Sequence, residues 1–169
     1  CHSPIALTQG LKEQVEKLGT VKHLVSPNWI HYAYIPEWVE AFEDTIAWAS
    51  PKVRERAKQY KVEISFDRDL QDKADILWEN EIDQLIARGS KVHQEAVFFH
   101  KKSKTLILTD LIENFESEKI PFWFRILGKF AGIIDPDGKA PIDMRYTFFG
   151  NHKELRKAVE QMISWQPEK

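Results

Sequence analysis

The sequence predicts an α/β fold, and two observations support this prediction. Helical and strand-like segments alternate along the first 60 residues, an order that is typical of helices packed on a sheet. Farther along, two apolar runs rich in β-branched and aromatic residues flank a short polar turn, which is the pattern of a β-hairpin. An amphipathic segment at 151–165 predicts one more helix near the end of the sequence.

Local signals set the predicted elements of the first half. The segment 8–18 places Leu11, Val15 and Leu18 on one helical face, with Thr8 as its cap and Gly19 as its stop. Two further segments carry proline near their start, where the first helical turn tolerates it. The predicted order is a helix at 8–18, a strand at 21–25, a helix at 35–42, a strand at 45–48 and a helix at 50–59.

The predicted hairpin occupies residues 96–108. Its apolar runs, 96–99 and 105–108, are separated by a polar turn in which His100 is expected to be solvated or hydrogen-bonded. Because successive strand residues point to opposite faces, we expect Leu106 and Leu108 to be buried on one face. The other face of the strand is expected to carry Thr105, Ile107 and Thr109.

The last predicted helix begins at Asn151, which can form a capping box with Glu154. Helical spacing predicts an inner face made of Leu155, Val159, Met162 and Ile163. His23, entering a strand, and His152, opening this helix, are both interpreted as structural.

Length and composition narrow the class of protein. The chain has 169 residues, which predicts a single domain over 1–169, and 43% hydrophobic with 30% charged residues is typical of a soluble globular protein. A net charge of −2 argues against nucleic acid as a partner. No run approaches the ~20 apolar residues of a transmembrane segment. Cys1 is the only cysteine, and no cleavable signal is visible, so a cytoplasmic location is expected.

Two acidic segments resemble cation-binding loops only in part, and neither is interpreted as a metal site. The aspartates between 67 and 75 lack the pattern of a calcium loop and are expected to form a solvated face. The sequence Asp-Pro-Asp-Gly at 135–138 predicts a turn in which Gly138 adopts a positive φ.

Asp110 follows the second hairpin strand directly. A carboxylate at the end of a buried strand must be solvated, accept hydrogen bonds or bind a cation, because burial without a partner is costly. Two interpretations therefore remain open, a site at the edge of the sheet and an Asp that caps the turn at 111–114.

Several segments together carry a family resemblance. The hairpin, HLVSPNWIHYAYIPEW at 23–38, ASPKVRER at 49–56 and HSPIALT at 2–8 resemble an uncharacterised bacterial family with a domain of unknown function. That family is grouped with the metallo-β-lactamase-like hydrolases. The resemblance implies an αββα sandwich that lacks terminal strands at both ends, so the domain is expected to be truncated. It also favours a strand at 82–87.

Hydrolases of this kind carry a His-x-His-x-Asp-His cluster after a strand, because two close zinc ions need several imidazoles and an acid. The matching segment here is 25–32, where His31 is the only imidazole in either alignment, and neither alignment keeps the acid. Ser26, Asn28 and Tyr32 fall on motif positions and are interpreted as pocket residues. The resemblance therefore implies no tightly bound dinuclear site.

The resemblance assigns two further ligands. Asp110 matches the metal-bridging acid of active relatives, with Thr109 in place of the usual glycine as a further pocket residue. His93 lies near the position of a third histidine, although a surface histidine is the alternative. His31, Asp110 and His93 thus form a candidate site for one zinc or iron ion, in which His31 and Asp110 are expected to approach each other.

Two functions remain open on these grounds. The chain is either a metal-dependent hydrolase of a small-molecule substrate with a reduced, mononuclear site, or a non-catalytic relative that binds a ligand or a protein. A protein contact could use the aromatic segment from Pro121 to Ile134, whose alternative interpretation is a buried helix or a lid over the cleft.

Overall fold

A computed structural model describes all residues, 1–169, and the chain divides into two compact units. The first unit is Cys1–Asp75 and the second is Ile76–Lys169. Each unit contains one three-stranded sheet.

The first unit alternates helices and strands as the sequence predicts. Its sheet has the order β1-β2-β3 and is entirely parallel, so each connection needs a crossover segment. In chain order the elements are α1 (Gln9–Leu18), β1 (His23–Ser26), α2 (Ile35–Ala41), β2 (Ile46–Ala49), α3 (Val53–Gln59) and β3 (Arg68–Asp69).

The core of the first unit lies between this sheet and its helices. Leu24 and Ala47 on the strands are fully buried, as are Ile35 and Val53 at the starts of α2 and α3. α1 is capped as predicted, since the Thr8 hydroxyl accepts a hydrogen bond from the Leu11 N–H at 3.2 Å. These contacts confirm the alternating pattern of this half.

The acid-rich stretch at the end of the first unit has protein partners. Asp67 accepts a hydrogen bond from the Ala47 N–H at 2.7 Å, and Asp69 pairs with Arg54 at 2.8 Å. The carboxylates of this stretch are thus engaged with the sheet and α3 rather than gathered in a cation-binding loop.

The second unit contains an antiparallel sheet followed by helices. The sheet has the order β4-β5-β6, and both strand pairs are antiparallel. This arrangement confirms the hairpin and the strand at 82–87. In chain order the elements are β4 (Ile82–Ala87), β5 (Glu95–His100), β6 (Thr105–Ile107), α4 (Phe122–Ala131), α5 (Ile142–Thr147) and α6 (His152–Ser164).

β6 differs from its predicted burial. Every residue from Thr105 to Thr109 is half-buried, so the expectation that Leu106 and Leu108 are buried is wrong. The physical reason is that Leu106 and Leu108 line a cavity, so their side chains are only partly covered. Both leucines still pack against the core cluster of this unit, which contains Leu85 and Val97.

α6 also departs from its predicted details. Val159 and Ile163 are 39% and 65% exposed, whereas Ala158 and Met162 are buried, so the inner face is rotated from the predicted one. Asn151 makes no side-chain cap, and the predicted capping box is wrong. Its backbone carbonyl instead accepts a hydrogen bond from the Glu154 N–H at 3.2 Å.

The aromatic segment at 121–134 forms α4, and the interpretation as a buried helix is wrong. Trp123 is 62% exposed and Phe130 is 83% exposed, and Gly128 is the one buried residue of the helix. None of the helices combines the length and the apolar character needed to cross a bilayer.

Gly138 is needed for a reason other than the predicted one. Its φ is not positive, but a Cβ atom at this position would lie 2.4 Å from the Glu113 carbonyl oxygen. The turn therefore requires glycine because two backbone segments approach closely, and the expected conformational reason is wrong.

Candidate metal centre

Sheet pairing brings a histidine and two acids together in the second unit. β5 and β6 are antiparallel with Phe98 opposite Ile107, and continuing this register by three residues places Glu95 opposite Asp110. His93 lies two residues before Glu95. One ligand atom from each of His93, Glu95 and Asp110 lies within 4.8 Å of the others, and we call these residues the His93–Glu95–Asp110 cluster.

Glu95 is the most engaged member of the cluster. Its side chain is 0% exposed. One carboxylate oxygen accepts the Thr109 N–H at 2.7 Å, and the other accepts the N–H groups of Asp110 at 2.9 Å and Leu111 at 3.0 Å. The second oxygen also lies 3.3 Å from Nε2 of His93. Glu95 thus fixes the backbone that follows β6.

These hydrogen bonds keep Glu95 ionised despite its burial. Burial alone pushes the pKa of Glu95 up, but hydrogen bonds from His93 and from the N–H and hydroxyl of Thr109 outweigh that effect. The result is a pKa below the usual range of a glutamate. A charged carboxylate therefore lies inside the second unit at neutral pH.

His93 is buried as well, at 3% exposure, so the interpretation as a surface histidine is wrong. Its backbone N–H donates to the Ser90 hydroxyl at 2.9 Å, and that hydroxyl lies 2.7 Å from the hydroxyl of Thr147. Because Glu95 is an ionised acceptor, we assign the ring proton to Nε2. This tautomer leaves the lone pair of the imidazole on Nδ1.

Asp110 is half-buried, and other acids lie near it. The pKa of Glu113 is raised by burial and by the neighbouring charges of Asp110 and Asp143. Negative charge is therefore concentrated on this side of the cluster, which is an environment that attracts cations.

The predicted residues of the first unit form a turn after β1. The Asn28 side-chain oxygen accepts the N–H groups of Ile30 at 2.9 Å and His31 at 3.2 Å, and Asn28 itself is fully buried. The Ser26 hydroxyl donates to the Asn28 carbonyl at 3.1 Å. Nδ1 of His31 is hydrogen-bonded to the hydroxyl of Ser3.

The candidate site residues thus lie in two units. Ser26, Asn28, His31 and Tyr32 belong to the first unit, and His93, Thr109 and Asp110 belong to the second. The structure brings the last three together around Glu95. The approach of His31 to Asp110 stays a prediction.

Glu95 is the residue of the cluster that sequence patterns did not reveal. It opens β5, whose following residues Ala96, Val97, Phe98 and Phe99 are all buried. An acid at the edge of such an apolar run is a usable signal, because a buried carboxylate must find donors or a cation. Its donors come from residues 14 to 16 positions later, and only the strand register reveals them.

The donor chemistry of the cluster fits one metal ion. Imidazole and carboxylate together suit zinc and iron, and His93 and Asp110 supply one of each. The oxygens of Glu95 already accept several hydrogen bonds, so Glu95 suits the role of a carboxylate that orients a ligating imidazole.

Comparisons with known proteins agree with this fold. The model of a family described as a domain of unknown function, DUF4336, matches residues 1–128. No curated protein matches the chain. Among solved structures, the DIM-1 metallo-beta-lactamase exposed to ceftazidime is similar, with 17% identity and a TM-score of 0.52 over 86% of this chain and 74% of that one. The chain therefore belongs to the DUF4336 family, and its mixed α/β fold is similar to that of a metallo-β-lactamase.

Proposed function

We propose that this protein binds one zinc or iron ion through His93 and Asp110 and acts as a metal-dependent hydrolase of a small-molecule substrate. The observation that carries the proposal is the His93–Glu95–Asp110 cluster, whose ligand atoms lie within 4.8 Å of one another. The likeness to a metallo-β-lactamase supports the class of reaction but not the substrate.

Within this proposal Glu95 is a positioning residue. A carboxylate has about four lone-pair sites. Glu95 uses its oxygens for three backbone N–H groups, for the Thr109 hydroxyl and for Nε2 of His93. Direct ligation by Glu95 would sacrifice some of these bonds, whereas orientation of the imidazole keeps all of them. A metal-ligating histidine commonly donates its second N–H to a carboxylate in this way.

The chain's own residues would prepare the site in three ways. Glu95 lies 3.3 Å from Nε2 of His93 and so orients the imidazole ring. It also fixes the backbone of Asp110, which positions that carboxylate. Burial of His93 restricts access of water to the ring. The bound ion would supply Lewis-acid polarisation and an acidified water for attack on an ester, amide or phosphoester.

A non-catalytic role is the second candidate, and the bonding of Glu95 favours it. Those hydrogen bonds satisfy a buried carboxylate without any cation, so the cluster is also complete as a structural feature. In that case the protein keeps the fold and binds a ligand or a partner protein. Metal binding together with hydrolytic turnover distinguishes the two candidates.

Metal content of the untagged protein, purified without chelator, tests the proposal. We expect one zinc or iron ion per chain by mass spectrometry, and Co²⁺ added to the chelator-treated protein should give visible absorption bands. His93→Ala and Asp110→Asn should remove binding. Glu95→Gln should weaken it by about 10–100-fold, because Glu95 acts through the ligands.

Matched variants control for unfolding and for surface binding. His100→Ala removes a half-buried histidine that bonds Ser103, and Asp137→Asn removes an exposed acid, so both should retain the metal. Equal loss in these controls would contradict a specific site. Metal loss in Glu95→Gln as complete as in Asp110→Asn would instead make Glu95 a direct ligand.

Hydrolysis is tested separately with chromogenic esters, phosphodiesters and β-lactams. Turnover that needs added metal and disappears in Asp110→Asn supports the hydrolase. A tightly bound ion with no turnover on any of these classes would favour the non-catalytic candidate.

A further inference from the structure

The second unit contains an apolar cavity that the proposed function does not use. Its volume is about 600 Å³, within the range of cavities that hold small organic ligands. β6 and the residues after it contribute Leu108 and Leu111 to the wall, and α6 contributes Met162 and Ile163. Ile163 is 65% exposed, so part of this wall is an aliphatic side chain that is largely in contact with water.

The polar side chains that line the cavity are Lys139, Arg145 and His152, and no acid lines it. Glu113 and Asp143 are close in sequence to the lining residues Ile112 and Arg145, but they do not line the cavity themselves. Such a wall combines a large apolar area with cationic groups. It matches the chemistry of a ligand with an apolar tail and a negative head.

The side chains of Lys139 and Arg145 pass close to the same backbone position. Gly132 ends α4 in the left-handed conformation, with φ of 77°. A Cβ atom there would lie 3.7 Å from Nη2 of Arg145 and 3.8 Å from Cδ of Lys139, so both side chains pass the same point. The hydrogen-bond partner of Arg145 is the Ala131 carbonyl, at 3.4 Å, rather than a carboxylate. Two adjacent cations attract an anion more strongly than either does alone.

We propose that this cavity binds a free long-chain aliphatic carboxylate. The alkyl tail lies among the apolar side chains, and the carboxylate pairs with Lys139 and Arg145. The volume, the apolar wall and the closeness of the Lys139 and Arg145 side chains carry the assignment. It does not rest on the proposed metal site, because His93, Glu95 and Asp110 are not part of the lining.

Titration calorimetry of the delipidated full chain, with chelator present, tests the proposal. The probes are saturated carboxylates of eight to fourteen carbons below their micelle concentrations, with dodecanol as an uncharged probe. Each added methylene should tighten binding by roughly fourfold until the cavity is full, as expected for burial of alkyl surface. Dodecanoate should bind at least about tenfold more tightly than dodecanol, because only the acid has a charge to pair.

Two pairs of variants separate the head from the tail. Lys139→Met with Arg145→Met should abolish the preference for dodecanoate over dodecanol, while Lys153→Met with Arg156→Met, which alters exposed cations of α6 outside the lining, should leave it unchanged. Val159→Glu places a charge in the wall and should weaken both probes. Gln161→Glu on an exposed position of α6 should not. Thermal melting of each variant verifies that it is folded.

Three results would overturn the proposal. Equal affinity for dodecanoate and dodecanol in the unmodified chain would show that the cations do not recognise the head. Absence of any binding by a monomeric, folded chain would show that the cavity holds no aliphatic ligand. A dimer that excludes the probes, seen by analytical ultracentrifugation, would make a second copy the occupant. None of these results depends on metal content, so they leave the hydrolase proposal to its own tests.

Discussion

A carboxylate buried without partners costs several kcal/mol, and Glu95 shows how a chain avoids that cost. Its donors are three consecutive backbone N–H groups and an imidazole, which come from both sides of the β5–β6 hairpin. The same bonds order the segment that presents Asp110. At the scale of single residues, one side chain therefore couples stability of the hairpin to geometry of the candidate site.

Glu95→Gln tests this coupling through its pH dependence. The folded pKa of Glu95 lies below the unfolded value of about 4.3, so its stabilisation is present above that value and is lost as pH falls through the folded pKa. In the chelated protein at pH 7, we expect Glu95→Gln to lower the free energy of unfolding by about 1–3 kcal/mol, because the amide presents donors to backbone donors. Urea titrations should show the gap shrinking at acid pH.

Glu79→Gln, at an exposed glutamate, is the matched control and should change stability little at either pH. A gap for Glu95→Gln that stays constant from pH 7 to acid would contradict the assignment of a charged, hydrogen-bonded carboxylate.

Gly138 provides a second test at this scale. A methyl group there would lie 2.4 Å from the Glu113 carbonyl oxygen and 2.5 Å from Cβ of Asn114, so Gly138→Ala should destabilise the protein by about 1–3 kcal/mol. Gly10→Ala on α1 has no atom within 4 Å and should be neutral or stabilising by up to about 1 kcal/mol. Thermal unfolding of both variants checks the contrast, and similar melting temperatures would refute the close approach.

At the scale of elements, local sequence patterns predict whether a segment forms a helix or a strand, but they do not predict how far its side chains are buried. Thr8 with its apolar stripe predicts α1, and two β-branched and aromatic runs around a polar turn predict the hairpin, because these signals lie within a few residues. Burial of Leu106 depends on what covers its side of the strand, and that follows from packing between distant segments. The hydrogen-bond donors of Glu95 were not predicted either, because they lie 14 to 16 residues later in the chain and approach Glu95 only in the folded hairpin.

The partial burial of Leu106 has an energetic consequence. Leu85 on β4 is 7% exposed and belongs to the core cluster, so Leu85→Ala should cost about 2–5 kcal/mol. Leu106 is half-buried on β6 and removes less apolar area from water when the chain folds. Leu106→Ala should therefore lower the free energy of unfolding by less than about 2 kcal/mol. Chemical denaturation of the two variants decides the order. A larger loss of unfolding free energy for Leu106→Ala than for Leu85→Ala would mean that Leu106 is more deeply buried than the structure shows.

At the scale of the whole molecule, the two units keep separate buried clusters. One cluster surrounds Leu24 and Ile35, and the other surrounds Val97 and Met162. The cluster of potential ligands belongs entirely to the second unit. The likeness to a metallo-β-lactamase extends over both units at 17% identity and concerns the fold alone.

The segment at 25–32 contains one histidine and no acid, which limits how many metal ions it can help to hold. A dinuclear site needs several imidazoles and a bridging acid, whereas the motif segment here retains His31 alone. His93 and Asp110 supply one imidazole and one carboxylate, enough with water for a single ion. We therefore expect metal analysis and Co²⁺ titration to reach at most one ion per chain, with a dissociation constant weaker than that of a three-ligand zinc site. His31→Ala should weaken binding further only if His31 is a third ligand. A second ion, bound tightly in stoichiometric titration, would contradict the mononuclear site and require ligands beyond those named.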